Sequence, residues 1–261
     1  MLDRGEEAKM ARAMLFDSTM CVGCRQCEQA CAAKWGNTYN DGIAQQEKLS
    51  AGKLTTIQTK GDKFVRRMCM HCVDPACVSV CPVGALEKTK LGPVVYHEDR
   101  CMGCRYCMVA CPFQVPTYTW NERIPRVRKC DGCFELQSGG KINACAEACP
   151  TGATTAGTRE ELIAEAHKRL AEKPGDYYQR IYGVQEVGGT SVFILSAVPF
   201  EQLGLRTDLP TSSLPENTWR VLSHIPDVGV MGSVLLGGVY WITNRRHAVA
   251  AEERRNQGGG R

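Results

Sequence analysis

Sixteen cysteines arranged as four quartets constrain this 261-residue chain more than any other feature. They are Cys21, Cys24, Cys27 and Cys31; Cys69, Cys72, Cys77 and Cys81; Cys101, Cys104, Cys107 and Cys111; and Cys130, Cys133, Cys145 and Cys149. No cysteine lies outside these quartets. Because thiols at this density rarely serve packing alone, the quartets are the first place to look for the chemistry of the chain.

Three kinds of chemistry use many cysteines: disulfide frameworks, structural zinc and iron–sulfur clusters. Disulfides spread their partners along a chain, whereas these cysteines stand two residues apart and would have to bridge distant quartets. Structural zinc takes two C-x2-C pairs separated by a dozen or more residues, and only the last quartet approaches that layout. A zinc-stapled adaptor protein therefore stays open as the alternative from another functional class.

The third quartet, CMGCRYCMVACP at residues 101–112, has the bacterial ferredoxin spacing C-x2-C-x2-C-x3-C-P. In that pattern the first three cysteines wrap one [4Fe–4S] cluster and the fourth ligates its neighbour. The spacing therefore predicts that quartets exchange their fourth cysteines in pairs. Plentiful glycine (26 residues) and few aromatic residues (7%) suit a chain that wraps compact inorganic groups.

The other quartets vary this pattern. The first, CVGCRQCEQAC, keeps the spacing but is followed by Ala32, and the second inserts two residues before Cys77 and keeps Pro82. The fourth inserts eleven residues between Cys133 and Cys145 and keeps Pro150. Proline fixes φ and stops regular structure after the ligand. Between the second and third quartets, residues 87–89 and 94–96 around the 90–92 turn predict a small hairpin.

These motifs resemble the four-cluster iron–sulfur subunits of membrane-bound respiratory oxidoreductases, over about residues 13–200. That family includes the beta subunits of formate dehydrogenases, the ferredoxin-like subunits of uptake hydrogenases, and the electron-transfer subunits of dimethyl sulfoxide, nitrate and polysulfide reductases. The stretches MLFDSTMCVGC, CMHCVDPACVSVCP and GCRYCMVACPF are most similar to the uptake-hydrogenase subunit. The implied fold is α+β, a tandem bacterial-ferredoxin-like body with small hairpins and short helices.

The resemblance implies four [4Fe–4S] clusters, because every ligand position is a cysteine, and it also implies which quartets exchange ligands. The four implied sites are site A (Cys21, Cys24, Cys27, Cys149), site B (Cys130, Cys133, Cys145, Cys31), site C (Cys69, Cys72, Cys77, Cys111) and site D (Cys101, Cys104, Cys107, Cys81). The exchange itself follows from the ferredoxin spacing, whereas the choice of partner quartets rests on the family.

The expected organisation is a four-cluster domain at 1–157, a packing segment at 158–224, a membrane anchor at 225–243 and a basic tail at 244–261. Within the first domain, residues 36–64 are expected to form a polar surface insertion. Residues 158–172 predict a helix with a capping box and one apolar face. Residues 188–200 predict a strand that leaves the ferredoxin body.

Residues 225–243, IPDVGVMGSVLLGGVYWIT, contain one charged residue, Asp227, and just span a bilayer core as a helix. Tyr240 and Trp241 lie at one end, where aromatic residues settle at membrane interfaces. Gly229, Ser233 and Gly237 recur every four residues, a stripe that lets another helix approach closely. A buried helix of a soluble domain is the alternative interpretation.

Four arginines follow within a dozen residues, in NRRHAVAAEERR. Positive residues stay cytoplasmic, so the C-terminus is expected in the cytoplasm and the iron–sulfur body in the periplasm, with a single crossing of the cell membrane. Residues 1–20 show neither an apolar stretch nor a twin-arginine run, so the sequence predicts no export signal there.

No catalytic constellation is evident, so the predicted role is electron transfer without bond chemistry. The resemblance implies two partners: a catalytic subunit, either a nickel–iron hydrogenase or a molybdopterin formate dehydrogenase, and an integral membrane subunit that binds quinone or haem. A reductase of sulfur compounds, or another molybdopterin reductase, is the alternative complex. A net charge of +4, well dispersed, argues against nucleic acid.

Two further groups of residues near the quartets have open roles. His71 and His97 are expected to pack or hydrogen-bond rather than bind metal. Arg25, Arg105 and Lys129 stand beside cysteines in the sequence. They either raise cluster potentials by stabilising the reduced form or are ordinary surface charges.

Overall fold

The computed structural model describes residues 11–258 and divides the chain into a body, Met1–Pro215, and a C-terminal unit, Glu216–Arg261. The strands are β1 (Arg12–Asp17), β2 (Thr56–Lys60), β3 (Lys63–Arg67), β4 (Leu86–Lys88), β5 (Val94–Tyr96), β6 (Thr117–Tyr118), β7 (Val127–Arg128), β8 (Thr154–Thr158) and β9 (Val192–Leu195). The helices are α1 (Gln26–Trp35), α2 (Ala76–Ser79), α3 (Tyr106–Ala110), α4 (Phe134–Ser138), α5 (Ala144–Glu147), α6 (Arg159–Glu172), α7 (Leu214–Leu222) and α8 (Ile225–Gly258). The start of the stretch without a predicted export signal, residues 1–10, lies outside the described residues.

A three-stranded sheet in the order β8-β1-β9 joins distant parts of the body. Leu15 of β1 pairs with Thr155 in an antiparallel ladder and with Phe193 in a parallel ladder. Side chains alternate across a strand. Leu15 therefore packs in the core cluster under α6, whereas Met14 and Phe16 pack in the cluster that contains cysteines.

Helix α6 covers one face of this sheet, as the sequence predicted. Thr158 is its N-cap: its side chain accepts from the Glu161 N–H at 3.3 Å, and Glu161 Oε2 accepts from the Thr158 N–H at 3.0 Å. Leu162, Ala166 and Leu170 are buried on the inner face. The capping box and the predicted apolar face are both confirmed.

Three hairpins carry or separate the cysteine loops. β4 and β5 pair with Leu86 opposite Tyr96, which confirms the predicted hairpin between the second and third quartets within one residue. β2 pairs with β3, and the short β6 pairs with β7. Each hairpin precedes a quartet in the sequence: β2–β3 the second, β4–β5 the third and β6–β7 the fourth.

Part of the stretch expected to be a polar surface insertion is buried instead. Leu54 and Ile57 belong to the main core cluster, and Thr55 and Thr56 are also buried. The segment has the polar composition of a surface loop, but polar side chains in it have hydrogen-bond partners inside the protein. For example, the Thr55 hydroxyl accepts from Arg66 Nε at 3.0 Å. The turns before residue 53 and the β2–β3 turn at residues 59–62 are largely exposed.

The strand expected at 188–200 is present, but it does not leave the body. All four residues of β9 are buried, and the strand pairs with β1. Core packing continues beyond it through Phe200 and Leu203. The prediction of a departing strand was wrong because pairing with β1 depends on residues that lie far away in the sequence.

The C-terminal unit contains helix α8, which continues through the predicted span and into the basic segment. Its 34 residues have a length of about 51 Å at the helical rise, more than the roughly 30 Å of a bilayer core. The segment Leu214–Asn256 includes a window of mean hydropathy 1.4, and no residue of that window is buried. By length and composition, this helix fits a membrane anchor.

Candidate metal centres

The cysteine loops are curled by residues in the left-handed backbone region. In the first loop Gly23 has φ 68° and Arg25 has φ 55°, and in the third Gly103 has φ 77° and Arg105 has φ 65°. Alternation of right- and left-handed residues turns successive amide N–H groups towards one concave side, where an anion is stabilised. In the fourth loop, the N–H of Gly132 donates to the sulfur of its own loop cysteine, Cys130, at 3.3 Å.

The prolines after Cys81 and Cys149 begin turns that return amide groups to these sulfurs. In CPVGA the Ala85 N–H donates to Cys81 Sγ at 3.2 Å, and in CPTGAT the Thr154 N–H donates to Cys149 Sγ at 3.4 Å. Both turns contain a glycine with positive φ three residues after the cysteine. The C-P-x-G-A sequence thus builds a donor cage around the fourth cysteine of a quartet.

These cages change the acidity of the thiols. Burial alone would raise the pKa of Cys81, but the amides of Leu86, Val83, Ala85 and Gly84 outweigh it and lower that pKa. The same balance of burial against donors lowers the pKa of Cys149. Both groups are therefore prepared to carry the negative charge that a metal ligand needs.

Two cavities are each lined by four cysteines from two different quartets. One is lined by Cys81, Cys101, Cys104 and Cys107, with the apolar walls of Leu86 and Val127. The Tyr118 hydroxyl lies 3.7 Å from Cys107 Sγ. These four cysteines are the members of site D.

The second cavity is lined by Cys31, Cys130, Cys133 and Cys145. Helix α1 contributes the first of these and helix α5 the last. The ion pair between Lys34 Nζ and Asp131 Oδ2, at 2.9 Å, ties α1 to the loop of the fourth quartet. These four cysteines are the members of site B.

The cysteines of the remaining two sets, sites A and C, affect the pKa values of other members of their own set. Burial raises the pKa of Cys21, and the charges of Cys149 and Cys24 raise it further. Burial also raises the pKa of Cys72, and Cys69, Cys111 and Cys77 add to that shift. The structure thus brings Cys149 towards the first quartet and Cys111 towards the second.

The buried cysteine thiols suit a bound metal group, whose positive charge would favour their thiolate form. Burial raises the pKa of Cys27 to about 11 and that of Cys31 to about 12. Thiols with such values stay protonated at neutral pH unless a bound metal displaces the proton. Iron would provide that charge, and the cysteines of each set would hold it.

Some buried hydrogen-bond donors near the cysteines have no partner in the protein, which also fits a bound iron–sulfur cluster. Among the described residues, neither Nε2 of His71 nor Nε and Nη2 of Arg25 has a hydrogen-bond partner. Both residues lie between cysteines of a loop. The sulfur atoms of an iron–sulfur cluster would be acceptors for such donors, so the residues present fit this group.

His71 is a hydrogen-bonding residue, as expected. Its Nδ1 accepts from the Val94 N–H at 3.0 Å, so the neutral ring carries its proton on Nε2. Burial lowers its pKa well below the ordinary value, and the charges of Lys129 and Lys88 add to the effect. His97 instead approaches Glu87, with Nε2 2.9 Å from Oε2.

The cations beside the cysteines differ in their surroundings. Lys129 is buried and donates to the carbonyl oxygens of Val94 and Cys130, so the interpretation as ordinary surface charge is wrong for it. Arg105 lies over the exposed ring of Trp120, 4.6 Å from the centroid. Arg66, a buried cation on β3, could not be predicted from the sequence, because an arginine in a polar hairpin carries no signal of burial.

The site geometry differs from that of a single-ion centre. Within residues 11–258, no three cysteine, histidine or acidic side chains converge closely enough to hold one metal ion. A zinc ion would draw its sulfur ligands to about 2.3 Å from one point. Four cysteines that line a cavity without converging on one point suit a group larger than a single ion.

Comparison with known proteins is consistent with this geometry. The family of 4Fe–4S dicluster domains matches residues 61–159, which include three of the four quartets. The chain is 41% identical over 255 residues to the Hydrogenase-2 operon protein HybA of Escherichia coli O157:H7, covering 80% of this chain and 77% of that protein. It is 31% identical over 262 residues to the formate dehydrogenase iron–sulfur subunit of Haemophilus influenzae, covering 92% and 83%.

The chain belongs to the iron–sulfur subunits of hydrogenases and formate dehydrogenases. A third relative, the formate dehydrogenase-O iron–sulfur subunit of Escherichia coli K12, is 36% identical over 197 residues, covering 69% and 65%. Membership confirms the predicted family and the [4Fe–4S] chemistry of the cysteines. As an iron–sulfur subunit, the protein is an electron carrier.

Proposed function

We propose that the sixteen cysteines of this iron–sulfur subunit hold four [4Fe–4S] clusters in sites A, B, C and D. The observation that carries the proposal is the pair of cavities each lined by four cysteines, three from one quartet and one exchanged from another. Each bound cluster supplies a centre that takes up and releases one electron. The chain contributes the thiolates, the amide donors and the apolar walls that exclude water.

The sites follow one another in the order A, B, C, D. Burial and Arg66 have the largest effects on the pKa of Cys27 in site A, and the next is the charge of Cys145 in site B. Cys69 of site C acts likewise on Cys130 of site B, after burial and Cys31. Cys107 of site D is among the charges that raise the pKa of Cys77 in site C, where burial dominates. These electrostatic effects between cysteines of successive sites support a single path through the body.

This order corresponds to a tandem double-dicluster body, with sites A and B as one pair and sites C and D as the other. Residues 1–157 supply the ligands, and residues 158–224 pack on the body and lead to the anchor. The support is the exchange pattern: in each pair, the fourth cysteine of one quartet lies with the first three of its partner.

The two ends of the path reach the surface. At site A, Cys24 is exposed, and Val22 beside it is 62% exposed. Near site D, Met102 and Val109 are exposed to 65% and 86%. We assign one of these ends to the catalytic subunit and the other to the membrane subunit, because electrons must enter and leave a chain of clusters where it reaches the surface.

The catalytic partner is a nickel–iron hydrogenase, with a molybdopterin formate dehydrogenase as the alternative. The support is the higher identity to a hydrogenase-2 operon protein, 41%, than to the formate dehydrogenase subunits, 31% and 36%. The other partner is an integral membrane subunit that binds quinone or haem. Purification of the complex from membranes separates the alternatives: nickel is expected, and molybdenum or tungsten would assign the chain to the other class.

Helix α8 crosses the cell membrane once, with Gly229, Ser233 and Gly237 facing a partner helix, the body in the periplasm and the C-terminus in the cytoplasm. The basic residues after the apolar stretch support this orientation. A reporter enzyme that works only in the periplasm, fused after residue 258, should be inactive. An active reporter would reverse the proposed orientation.

Metal analysis tests the central proposal. Anaerobically purified protein should be brown, bleach on reduction and contain about sixteen iron atoms, four for each of four clusters. Colourless protein with four zinc ions would instead support the structural adaptor. A value near eight irons would contradict the assignment of four clusters while keeping an iron–sulfur protein.

A further inference from the structure

A buried arginine lies between the ligands of sites A and B. Arg66 is 3% exposed, on β3 opposite Ile57 of β2. Its Nε donates to the Thr55 hydroxyl at 3.0 Å and its Nη1 to the Thr154 hydroxyl at 3.2 Å. These two bonds hold the plane of the guanidinium but leave its charge uncompensated.

No carboxylate balances that charge within residues 11–258: no described acidic group lies within ion-pair distance of Arg66. The buried Glu28 is already engaged, with Lys53 Nζ 2.7 Å from its Oε2 and the Ile57 N–H donating to its Oε1 at 2.5 Å. Arginine stays protonated in proteins, and an unpaired buried charge is strongly destabilising. The surroundings must therefore supply a different anion.

The surroundings of Arg66 are cysteines from both sites. It lines the site B cavity together with Cys31, Cys130 and Cys145. It also reaches site A, because the Thr154 hydroxyl that accepts from Arg66 belongs to the residue whose N–H donates to Cys149 Sγ at 3.4 Å. Anionic sulfur is thus the counter-charge, and one guanidinium serves two ligand sets.

We propose that Arg66 sets the reduction potentials of the clusters in sites A and B together. A cluster gains one unit of negative charge on reduction, and a fixed buried cation stabilises that form, so both potentials are more positive than they would be without it. We expect a smaller effect at sites C and D, because the side-chain surroundings of Arg66 described here belong to sites A and B. The proposal rests on the ligand sets of the proposed function.

Redox titration of the purified full-length complex, followed by electron paramagnetic resonance, tests this role. In Arg66→Gln, which keeps a hydrogen-bonding group but removes the charge, two of the four midpoint potentials should shift to more negative values. In Arg66→Lys, which keeps the charge, the shift should be largely restored. Arg67→Gln is the matched control, because the Arg67 side chain bonds the carbonyl groups of Gly204 and Phe113 and should leave all four potentials unchanged.

The outcomes separate this inference from the proposed function. Four unchanged potentials in Arg66→Gln, with about sixteen irons retained, would overturn the role of Arg66 and leave the four-cluster assignment intact. Equal shifts in Arg66→Gln and Arg66→Lys would also overturn it, since a structural disturbance would then be the cause. Wild-type protein without four cluster signals would instead contradict the proposed function.

A second measurement does not depend on the uncharged variant Arg66→Gln. Wild-type protein with ¹⁵N in the arginine guanidinium groups should show nitrogen hyperfine coupling to the reduced cluster of site B by pulsed electron paramagnetic resonance. Site B is the informative one, because Arg25 in the loop of site A has unpaired donors of its own. That coupling should disappear in Arg66→Lys. Persistence of the same coupling in Arg66→Lys would assign it to another arginine and contradict the proposal even if Arg66→Gln does not fold.

Discussion

Lys53 and Glu28 form a buried ion pair, with Nζ of the lysine 2.7 Å from Oε2 of the glutamate. Lys53 also donates to the Ala44 carbonyl at 2.9 Å, and Glu28 accepts from the Ile57 N–H. Glu28 lies in α1, between the ligands Cys27 and Cys31. The pair thus attaches the ligand helix of sites A and B to the segment that the sequence had suggested was a surface insertion.

Removing one partner of this pair should destabilise the body. Lys53→Met leaves Glu28 buried without its main counter-charge, and we expect the free energy of unfolding to fall by about 3 kcal/mol. The midpoint of guanidinium-induced bleaching measures the effect. The double variant Glu28→Gln/Lys53→Met should recover most of the loss, and Lys48→Met, at an exposed position of the same segment, should change stability by less than about 0.5 kcal/mol. Equal behaviour of Lys53→Met and Lys48→Met would show that the pair contributes nothing.

The capping box of α6 predicts a smaller effect. Thr158→Ala removes the acceptor for the Glu161 N–H, and the expected cost is about 1 kcal/mol of unfolding free energy. Lys168→Ala on the exposed face of the same helix is the control, because its ion pair with Glu172 is long, at 3.9 Å, and solvent-exposed. Thermal bleaching should give a clearly lower midpoint for Thr158→Ala only. A larger loss in Lys168→Ala would contradict the cap as the stabilising element.

If the quartets exchange their fourth cysteines, replacing such a cysteine should impair a cluster whose other three ligands lie in a different quartet. Cys111→Ser should impair the cluster of site C, held by Cys69, Cys72 and Cys77, and leave that of site D largely intact. Cys81→Ser is the reciprocal control and should impair site D. Electron paramagnetic resonance of each reduced variant distinguishes the two losses. Loss confined to site D in Cys111→Ser would refute the pairing.

His71 predicts a pH dependence of stability. Its pKa in the folded protein lies well below 6.5 because the ring is buried and Lys129 and Lys88 are near. As the pH falls below 6.5, the unfolded chain binds a proton that the folded chain does not. The free energy of unfolding should therefore fall by at most about 1.4 kcal/mol per pH unit from this group.

The variant His71→Asn tests this source of the slope. Asparagine tolerates the left-handed backbone at this position, φ 47°, and its side-chain oxygen can accept from the Val94 N–H in place of Nδ1. Unfolding midpoints between pH 5.5 and 7.5 should lose this part of the slope in the variant. An unchanged slope would mean that other groups cause the acid destabilisation.

The features that the sequence predicted correctly are those encoded locally. The capping residues Thr158 and Glu161 lie three positions apart, and the β4-β5 hairpin closes over a short turn, so neighbouring residues determine both structures. The family could likewise be recognised from cysteine spacing, because three ligands of a cluster lie within seven residues in the first and third quartets. Local spacing also predicts that a fourth ligand is exchanged.

The features that the sequence did not predict depend on distant partners. The buried state of Arg66 requires hydroxyl groups from Thr55 and Thr154, and nothing in the polar hairpin shows that both will be there. The position of β9 next to β1 has the same origin. Burial of polar residues is decided by tertiary partners rather than by composition, which is why the segment before β3 resembled a surface loop.

The middle position of β1 in its sheet has a consequence for the order of events in the cell. The strand that precedes the first cysteine loop gains its neighbours only when β8 and β9, up to Leu195, have been synthesised. Pairings over such separations close late, after the loop-closure entropy has been met. Metal loading of the first loop therefore follows synthesis of the whole body. An interrupted nascent chain contains the thiols of this loop but lacks the strands that hold the loop in place.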